Sequence, residues 1–287
     1  MTGFLDGIND SLINDVDLKN IFRYAYQASQ ETADFASALN DQAYKYVNNQ
    51  KGKNKNAEWT PNCISELMCK LIYKTYLKYF KSSSDKSSIC LNVLDCACGG
   101  NNLFKSFKKC NPNINTKFTG CEINKTTSKL ANIDSRICNL NANIYSCDFF
   151  NFNTSETFDI TICNPPYTKD IQMNPHEVLE FVIRSMNMSK SGVYIFPTKS
   201  LTDYPQLYSE LIQIAHIDSI IRLNFGVFAN VGLSDFVIIT LINRNYLNDN
   251  YSQSLIYNVE GKRSDYMAKA VRSSKSDVNF NAKGNKI

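Results

Sequence analysis

Ten consecutive residues near the middle of the chain read Phe158-Asp159-Ile160-Thr161-Ile162-Cys163-Asn164-Pro165-Pro166-Tyr167. The apolar, β-branched first half predicts a short buried strand. The two prolines lack backbone donors and have a fixed φ, so the chain must leave the strand ladder in a rigid turn after Cys163. The turn therefore holds an amide, a carbonyl and an aromatic ring at the carboxyl end of a strand.

Such a turn suits the activation of an exocyclic amine on a nucleobase, because the lone pair of that amine is delocalised into the ring. The Asn164 side-chain oxygen and the Pro165 carbonyl are candidate acceptors for its N–H groups, and Tyr167 is a candidate to stack on the base. No strong base is needed. The alternative is a helix-breaking loop without chemistry, since proline-rich turns are common.

The residues around this turn predict alternating strands and helices from Ile89 to Arg244. This pattern favours a Rossmann-like α/β fold with a mostly parallel, seven-stranded sheet. Strands are expected at 90–95, 117–122, 142–147, 158–163, 192–197, 216–223 and 235–243, and helices at 101–110, 124–133, 176–189 and 203–215. The 224–234 loop is too short for a helical crossover, so the last strand should pair antiparallel to its neighbour.

The chain divides into three predicted regions. Residues 1–56 form a helical extension, 57–244 the α/β domain, and 245–287 a polar extension that is partly disordered, with a possible strand at 254–257 and a tail of low hydrophobicity from residue 273. The domain begins with a helix that runs to about Phe80. Thr60 can cap this helix, and Pro61 occupies a position favoured in the first turn.

Composition limits the classes of protein that remain. The 287 residues are 43% hydrophobic, which is ample for a core, yet no apolar run is long enough to span a membrane. The first residues lack the features of a secretory signal, so a cytoplasmic protein is expected. Ten cysteines lie mostly in apolar segments beside only two histidines, which predicts reduced core thiols and no metal site.

Small and acidic residues follow the first three predicted strands. The first strand ends in Asp95-Cys96-Ala97-Cys98-Gly99-Gly100-Asn101-Asn102, where small residues let the backbone approach a ligand. No Gly-Lys-Ser/Thr follows, which argues against nucleotide hydrolysis. The second strand ends at Glu122, where such folds grip a ribose diol, and the third ends at Asp148-Phe149, candidates to contact an adenine. Alternatively, these acids only form turns.

The ordered set resembles the S-adenosylmethionine-dependent N6-adenine DNA methyltransferases, in particular the methylation subunits of type I restriction-modification systems. In that family a Tyr-Thr-Pro-like helix start precedes a strand ending in Asp-Pro-Ala-Cys-Gly-Ser-Gly, and Asn-Pro-Pro-Tyr follows the fourth strand. Trp59-Thr60-Pro61 resembles the first motif and Asp95 to Asn101 the second. Cys96 stands in place of the usual proline, and Gly100-Asn101 in place of Ser-Gly. The resemblance covers about residues 57 to 244 and implies that this segment is a methyltransferase domain.

The resemblance implies transfer of a methyl group from S-adenosyl-L-methionine to the N6 amine of a flipped-out adenine in DNA. The implied catalytic residues are Asn164, Pro165, Pro166 and Tyr167. The implied cofactor-binding residues are Trp59, Thr60, Pro61, Asp95, Ala97, Cys98, Gly99, Asn102, Glu122, Ile123, Asp148, Phe149 and Asn164. Lys169 and Phe228 are the candidate DNA contacts.

Two other classes of function stay open at this point. One is a methyltransferase acting on a protein glutamine or an RNA base amine, and the other is a non-catalytic DNA-binding subunit of a methyltransferase complex. The region after Arg244 is too short for a base-reading domain. We therefore expect sequence specificity to come from a specificity subunit or from a recognition domain outside this sequence.

Overall fold

A computed structural model describes residues 60–80, 90–166, 177–223 and 235–247, together with the backbone alone of 255–259 and 283–286. Outside the described residues lie the predicted N-terminal extension, 1–56, and four predicted site residues, Trp59, Tyr167, Lys169 and Phe228. None of the helices in the described part of the chain is long and apolar enough to cross a membrane.

One mixed sheet contains all the strands of the described residues. In chain order these are β1 Cys90–Asp95, β2 Asn115–Glu122, β3 Ala142–Ser146, β4 Phe158–Cys163, β5 Ser189–Pro197, β6 Ala215–Leu223, β7 Phe236–Asn243, β8 Leu255–Val259 and β9 Lys283–Lys286. Their order across the sheet is β3-β2-β1-β4-β5-β7-β6-β8-β9. Strands β1 to β5 are parallel, and β7 is antiparallel to both β5 and β6. The predicted α/β fold and its antiparallel strand are confirmed.

One helix precedes β1, and the others lie in the connections between later strands. The helices are α1 Asn62–Phe80, α2 Asn102–Cys110, α3 Lys125–Ile137, α4 Glu177–Asn187, the single turn α5 Lys199–Thr202 and α6 Pro205–Ile214, with 3-10 turns at Phe149–Asn151 and Arg244–Tyr246. The helix predicted at 203–215 is confirmed as α6, which begins two residues later than predicted. Tyr204 has an extended φ of −129° before Pro205, which occupies the first turn of α6, because a residue before proline avoids helical angles.

Apolar side chains cover both faces of the sheet. Successive residues of β1 point to opposite faces, so Val93 joins the core formed with α1 and α2 while Leu94 joins the core formed with α4. Burial on both faces explains why these strands are nearly continuous apolar runs instead of alternating ones.

Polar contacts fasten α1 to the sheet and to α2. Near its carboxyl end, Thr75, Lys78 and Tyr79 donate hydrogen bonds of 2.7 to 3.1 Å to the carboxylate of Asp218 in β6. Near its amino end, the Ser65 and Ser106 hydroxyls lie 2.8 Å apart in the α1–α2 interface. These contacts fix the direction of α1 and with it the position of Thr60.

The C-terminal region adds two strands beyond the seven predicted. β8 is parallel to β6 and matches the possible strand at 254–257, while β9 pairs antiparallel with β8. The tail predicted to be disordered from residue 273 therefore contains a strand at Lys283–Lys286. Low hydrophobicity is a weak guide at this position, because a strand at a sheet edge is held by backbone hydrogen bonds.

Candidate active site

The carboxyl ends of β1, β2 and β4 meet at one edge of the sheet. Register pairs Asp95 with Gly120 across β1 and β2, and Leu94 with Thr161 across β1 and β4. The residues that follow these strands are therefore brought together, as open α/β folds require of a ligand site. Asn164 is the first residue after β4, and β4 is paired with β1, the strand that leads into the Gly99 turn.

The turn after β1 has an unusual backbone. Gly99 has a φ of 50° and Asn101 a φ of 65°, both in the left-handed region. The Cys98 N–H donates to the Cys121 carbonyl of β2 at 2.9 Å, and the Asn101 N–H donates to the Cys98 carbonyl at 2.9 Å. The turn is thus tied to the neighbouring strand, and α2 begins directly after it at Asn102.

Gly120 allows this turn to pack against β2, and it is absent from the predicted site. A Cβ at Gly120 would lie 2.8 Å from the Cys98 Sγ and 2.9 Å from the Ile144 Cδ1, which is too close for either atom. A glycine inside a predicted strand is the sequence signal for such a close approach. Gly120 therefore belongs to the architecture of the site although it offers no functional group.

Glu122 joins the ends of the first two strands. Its Oε2 accepts the Gly99 N–H at 3.1 Å and its Oε1 accepts the Asn124 N–H at 2.7 Å. Burial raises the pKa of the Glu122 carboxyl, and the two N–H donors oppose that shift. Each oxygen keeps a second lone pair, so the carboxylate can still accept a hydroxyl while it supports the turn.

Asp95 lies beneath the turn instead of lining its surface. Its side chain is 1% exposed, and its Oδ1 accepts the Ala97 N–H at 3.1 Å. Burial raises the pKa of this carboxyl from 3.8 to about 7, with the Ala97 N–H and the Cys163 thiol opposing the shift. A ligand above the turn would therefore interact with the charge of Asp95 through the loop.

Two of the predicted cofactor-binding residues, Ile123 and Phe149, differ sharply in exposure. Ile123 is 70% exposed. Phe149 is only 2% exposed, and its ring stacks on Phe181 at 5.3 Å between centroids. Phe149 thus packs on α4, whereas Ile123 offers accessible apolar surface. Contact of Phe149 with an adenine stays a prediction.

Asp148, Thr60 and Pro61 are further predicted site residues within the described part of the chain. The Asp148 Oδ1 accepts the Phe150 N–H at 2.9 Å and so caps the 3-10 turn, which is the turn-forming role considered above. Thr60 is buried at 3% exposure, and the Pro61 carbonyl accepts the Ser65 N–H at 2.9 Å in the first turn of α1.

The Asn164-Pro165-Pro166 turn follows a strand that is buried almost throughout. Asn164 and Pro166 are partly exposed and Pro165 is buried. Burial raises the pKa of the preceding Cys163 thiol well above its ordinary value. The thiol is therefore neutral, and Cys163 is unsuited to act as a covalent nucleophile.

In the described part of the chain, no group of three or more His, Cys, Asp or Glu side chains is placed to hold a metal ion. The cysteines among the described residues are free thiols, in agreement with the reduced core predicted. The ends of β1, β2 and β4 instead present a glycine turn, a carboxylate, an exposed apolar side chain and an amide.

This fold is that of the class I methyltransferases. A protein from Listeria monocytogenes described as a class I S-adenosylmethionine-dependent methyltransferase superposes with a TM-score of 0.61 at 13% identity, covering 83% of this chain and 78% of its own. A type I restriction-modification methyltransferase subunit from Streptococcus thermophilus superposes with a TM-score of 0.59 at 16% identity, covering 85% of this chain and 58% of the subunit. A Pyrococcus horikoshii protein described as an RNA methyltransferase has a TM-score of 0.51 at 14% identity, covering 68% and 91%.

The sequence identifies a family within this fold class. Residues 33–196, more than half of the chain, match the model of the N-6 DNA methylase family. The chain belongs to that family. No curated protein matches the sequence significantly. The chain spans little more than half the length of the Streptococcus thermophilus subunit.

Proposed function

We propose that this protein transfers a methyl group from S-adenosyl-L-methionine to the exocyclic N6 amine of adenine in DNA. The observation that carries the proposal is the position of the Asn164-Pro165-Pro166 turn, on the strand paired directly with the one that ends in the Gly99 turn. In this proposal the Asn164 turn binds the amine and the neighbouring Gly99 turn binds the cofactor. Membership of the N-6 DNA methylase family supports the choice of amine.

Described side chains fit the cofactor. S-adenosylmethionine supplies an electrophilic methyl group on a sulfonium centre. Glu122 keeps acceptor capacity for a ribose diol, Ile123 presents an apolar surface for a flat base, and the open backbone of the Gly99 turn suits the methionine end. Asp148 at the neighbouring strand end is the proposed acceptor for the adenine amino group. Pro61, Ala97, Cys98, Asn102 and buried Thr60 border this space in the proposal.

Orientation and electrostatics supply the catalysis in this proposal. The Asn164 amide oxygen and the Pro165 carbonyl would accept the two N–H groups of the target amine and so turn its lone pair towards the methyl group. Acceptors also stabilise positive charge that develops on the nitrogen. The neutral Cys163 thiol beside this turn favours direct transfer over a covalent enzyme intermediate.

DNA binding and specificity are further parts of the proposal. The target base would be flipped out of the duplex, at an unstacking cost of a few kcal/mol that phosphate contacts must offset. Tyr167, Lys169 and Phe228 stay proposed contacts to the base or its strand, and Trp59 a proposed cofactor contact. We propose that a specificity subunit or a further domain reads the sequence, and that the protein works in the cytoplasm. The Streptococcus thermophilus neighbour is a subunit of such a type I system.

The decisive experiment compares Asn164→Ala with Cys163→Ser in a labelled-methyl assay on unmethylated DNA. Losing one amine acceptor should lower transfer by at least about a hundredfold, while calorimetry shows unchanged cofactor affinity. Cys163→Ser keeps a donor next to Asp95 and serves as the matched control with near wild-type transfer. Undiminished transfer by Asn164→Ala would refute the catalytic assignment.

The choice of substrate needs a separate comparison. Equal amounts of DNA, RNA and protein are offered to the wild-type chain, and the methylated base is identified by mass spectrometry. We expect N6-methyladenine in DNA. Methylation of an RNA base or a protein glutamine instead would show that RNA or protein is the substrate. Binding of DNA without binding of the cofactor would indicate a non-catalytic DNA-binding subunit.

A further inference from the structure

Asn101 closes the turn after β1 in a conformation that favours glycine. Its φ is 65° and its ψ is 18°, and its side chain is fully buried. Asparagine enters this left-handed region more readily than other residues with a Cβ, although less freely than glycine. The family motif that this turn resembles has glycine at the same place. Asparagine therefore bears a backbone cost here that glycine would avoid.

The buried side chain makes contacts that glycine lacks. The Asn101 Nδ2 donates to the Ala131 carbonyl at 2.5 Å and to the Ser135 Oγ at 3.0 Å. The Ser135 hydroxyl in turn donates to the Ala131 carbonyl at 2.8 Å. Both partners lie in α3, the helix that begins just after Glu122 and Ile123. One side chain thus links the turn after the first strand to the helix after the second.

The Asn101 side chain is a second connection between the Gly99 turn and the segment that follows β2. Glu122 already bonds to the Gly99 N–H, two residues before Asn101. Asn101 adds a second connection at the other end of the same turn, directed to α3 instead of β2. With its ends held on two different elements, the turn has little freedom to change its left-handed angles.

We propose that Asn101 is a positioning residue for cofactor binding: its α3 contacts hold the Gly99 turn in the binding geometry before the ligand arrives. This inference rests on the proposed function, because the ligand in question is S-adenosylmethionine. A turn organised in advance binds with less ordering cost, so the contribution of Asn101 falls on affinity and not on the transfer step.

The test compares Asn101→Gly, Asn101→Ala and the matched control Ser135→Ala. Asn101→Gly keeps the backbone freedom and removes the link, so we expect the Kd for S-adenosylmethionine to rise about tenfold with kcat at saturating cofactor within twofold. Asn101→Ala also strains the backbone and should bind more weakly still. Ser135→Ala removes only one of the two acceptors and should change Kd by less than about threefold.

Amide hydrogen exchange of the protein without ligand provides an independent readout. Faster exchange at residues 98–102 in Asn101→Gly, with unchanged exchange in β5 and β7, is the expected signature of a released turn. Wild-type affinity in Asn101→Gly would overturn the inference, and so would exchange that rises over the whole domain. If the wild-type chain binds no S-adenosylmethionine while the turn is still released, the proposed function fails but the structural link stands.

Discussion

Two groups of acidic side chains in this domain differ in the partners that compensate for their burial. The edge carboxylates, Asp95 and Glu122, accept hydrogen bonds from backbone N–H groups, and no ion pair among the described residues includes them. The anchor carboxylates, Asp218 and Asp159, each accept a lysine: Lys78 at 2.7 Å and Lys190 at 2.8 Å. The first group lies at the candidate site and the second fastens α1 and β4.

The difference shows which charges the protein neutralises by itself. Placing a carboxylate in the interior is costly unless a partner compensates for the lost water. The anchor carboxylates receive lysine and hydroxyl donors, so their charge supports the fold. The edge carboxylates receive backbone N–H groups, and Asp95 also the Cys163 thiol, but neither receives a lysine or arginine among the described residues, and burial raises the pKa of both. Buried carboxyl groups with raised pKa values are common at functional sites.

Removal of an anchor carboxylate should give the largest change in stability. Asp218→Ala leaves Thr75, Lys78 and Tyr79 without their shared acceptor, so we expect a loss of about 3 kcal/mol in the free energy of unfolding. Denaturant unfolding measures it. Glu156→Gln, which alters an exposed pair with Lys117, is the control and should leave the midpoint unchanged. A loss in Asp218→Ala no larger than that of the control would contradict the distinction between the two groups.

Removal of an edge carboxylate should change stability with the opposite sign. Asp95→Asn keeps an oxygen for the Ala97 N–H and removes a buried ionisable group. We therefore expect the variant to be more stable than the wild type at pH 8. Its gain in the free energy of unfolding at pH 8 should exceed its gain at pH 5 by on the order of 2 kcal/mol. Thermal or urea unfolding of both proteins at the two pH values measures this difference.

The sign follows from the raised pKa of Asp95. Below the ordinary value of 3.8 the carboxyl is protonated in both the folded and the unfolded chain. As the pH rises from there to about 7, the unfolded chain loses the proton first, so stability falls across that window and then levels. The Asp95→Asn substitution would remove this dependence, because an amide does not titrate in this range. A stability gain that is equal at pH 5 and pH 8 would refute the raised pKa.

Much of the fold could be predicted from local patterns. β1 and β4 have the predicted bounds, because buried parallel strands are short apolar runs that polar turns interrupt. The antiparallel direction of β7 followed from loop length alone. The strand at Lys283–Lys286 could not be predicted, since nothing in four polar residues shows which edge strand they will meet.

The candidate site was predictable in its positions but not in its contacts. Sequence order placed Asp95, Glu122 and Asn164 at strand ends, yet only the structure shows that Asp95 lies under the turn and that Phe149 packs on α4. The role of Asn101 was also hidden. A departure from a glycine motif indicates possible strain, whereas the compensating contacts with Ala131 and Ser135 depend on how α3 packs.

Cofactor binding should depend on pH through the same edge carboxylate, with the smallest of these effects. A cation bound above the turn favours ionised Asp95, so binding near neutral pH should release a proton. Affinity for S-adenosylmethionine should then rise up to about tenfold between pH 6 and pH 8 and level above that range. Calorimetry at pH 7 in two buffers with different ionisation enthalpies measures the released protons directly.

Two comparisons identify the group that loses the proton. Asp95→Asn should bind with the same enthalpy in both buffers, although Glu122, whose pKa is also raised, is still present. S-adenosylhomocysteine lacks the sulfonium charge and should release fewer protons from the wild type than S-adenosylmethionine does. If both ligands release the same number, or if the variant keeps the pH dependence, the charge of Asp95 does not respond to the cofactor. The edge and anchor carboxylates would then differ only in their contacts and not in their function.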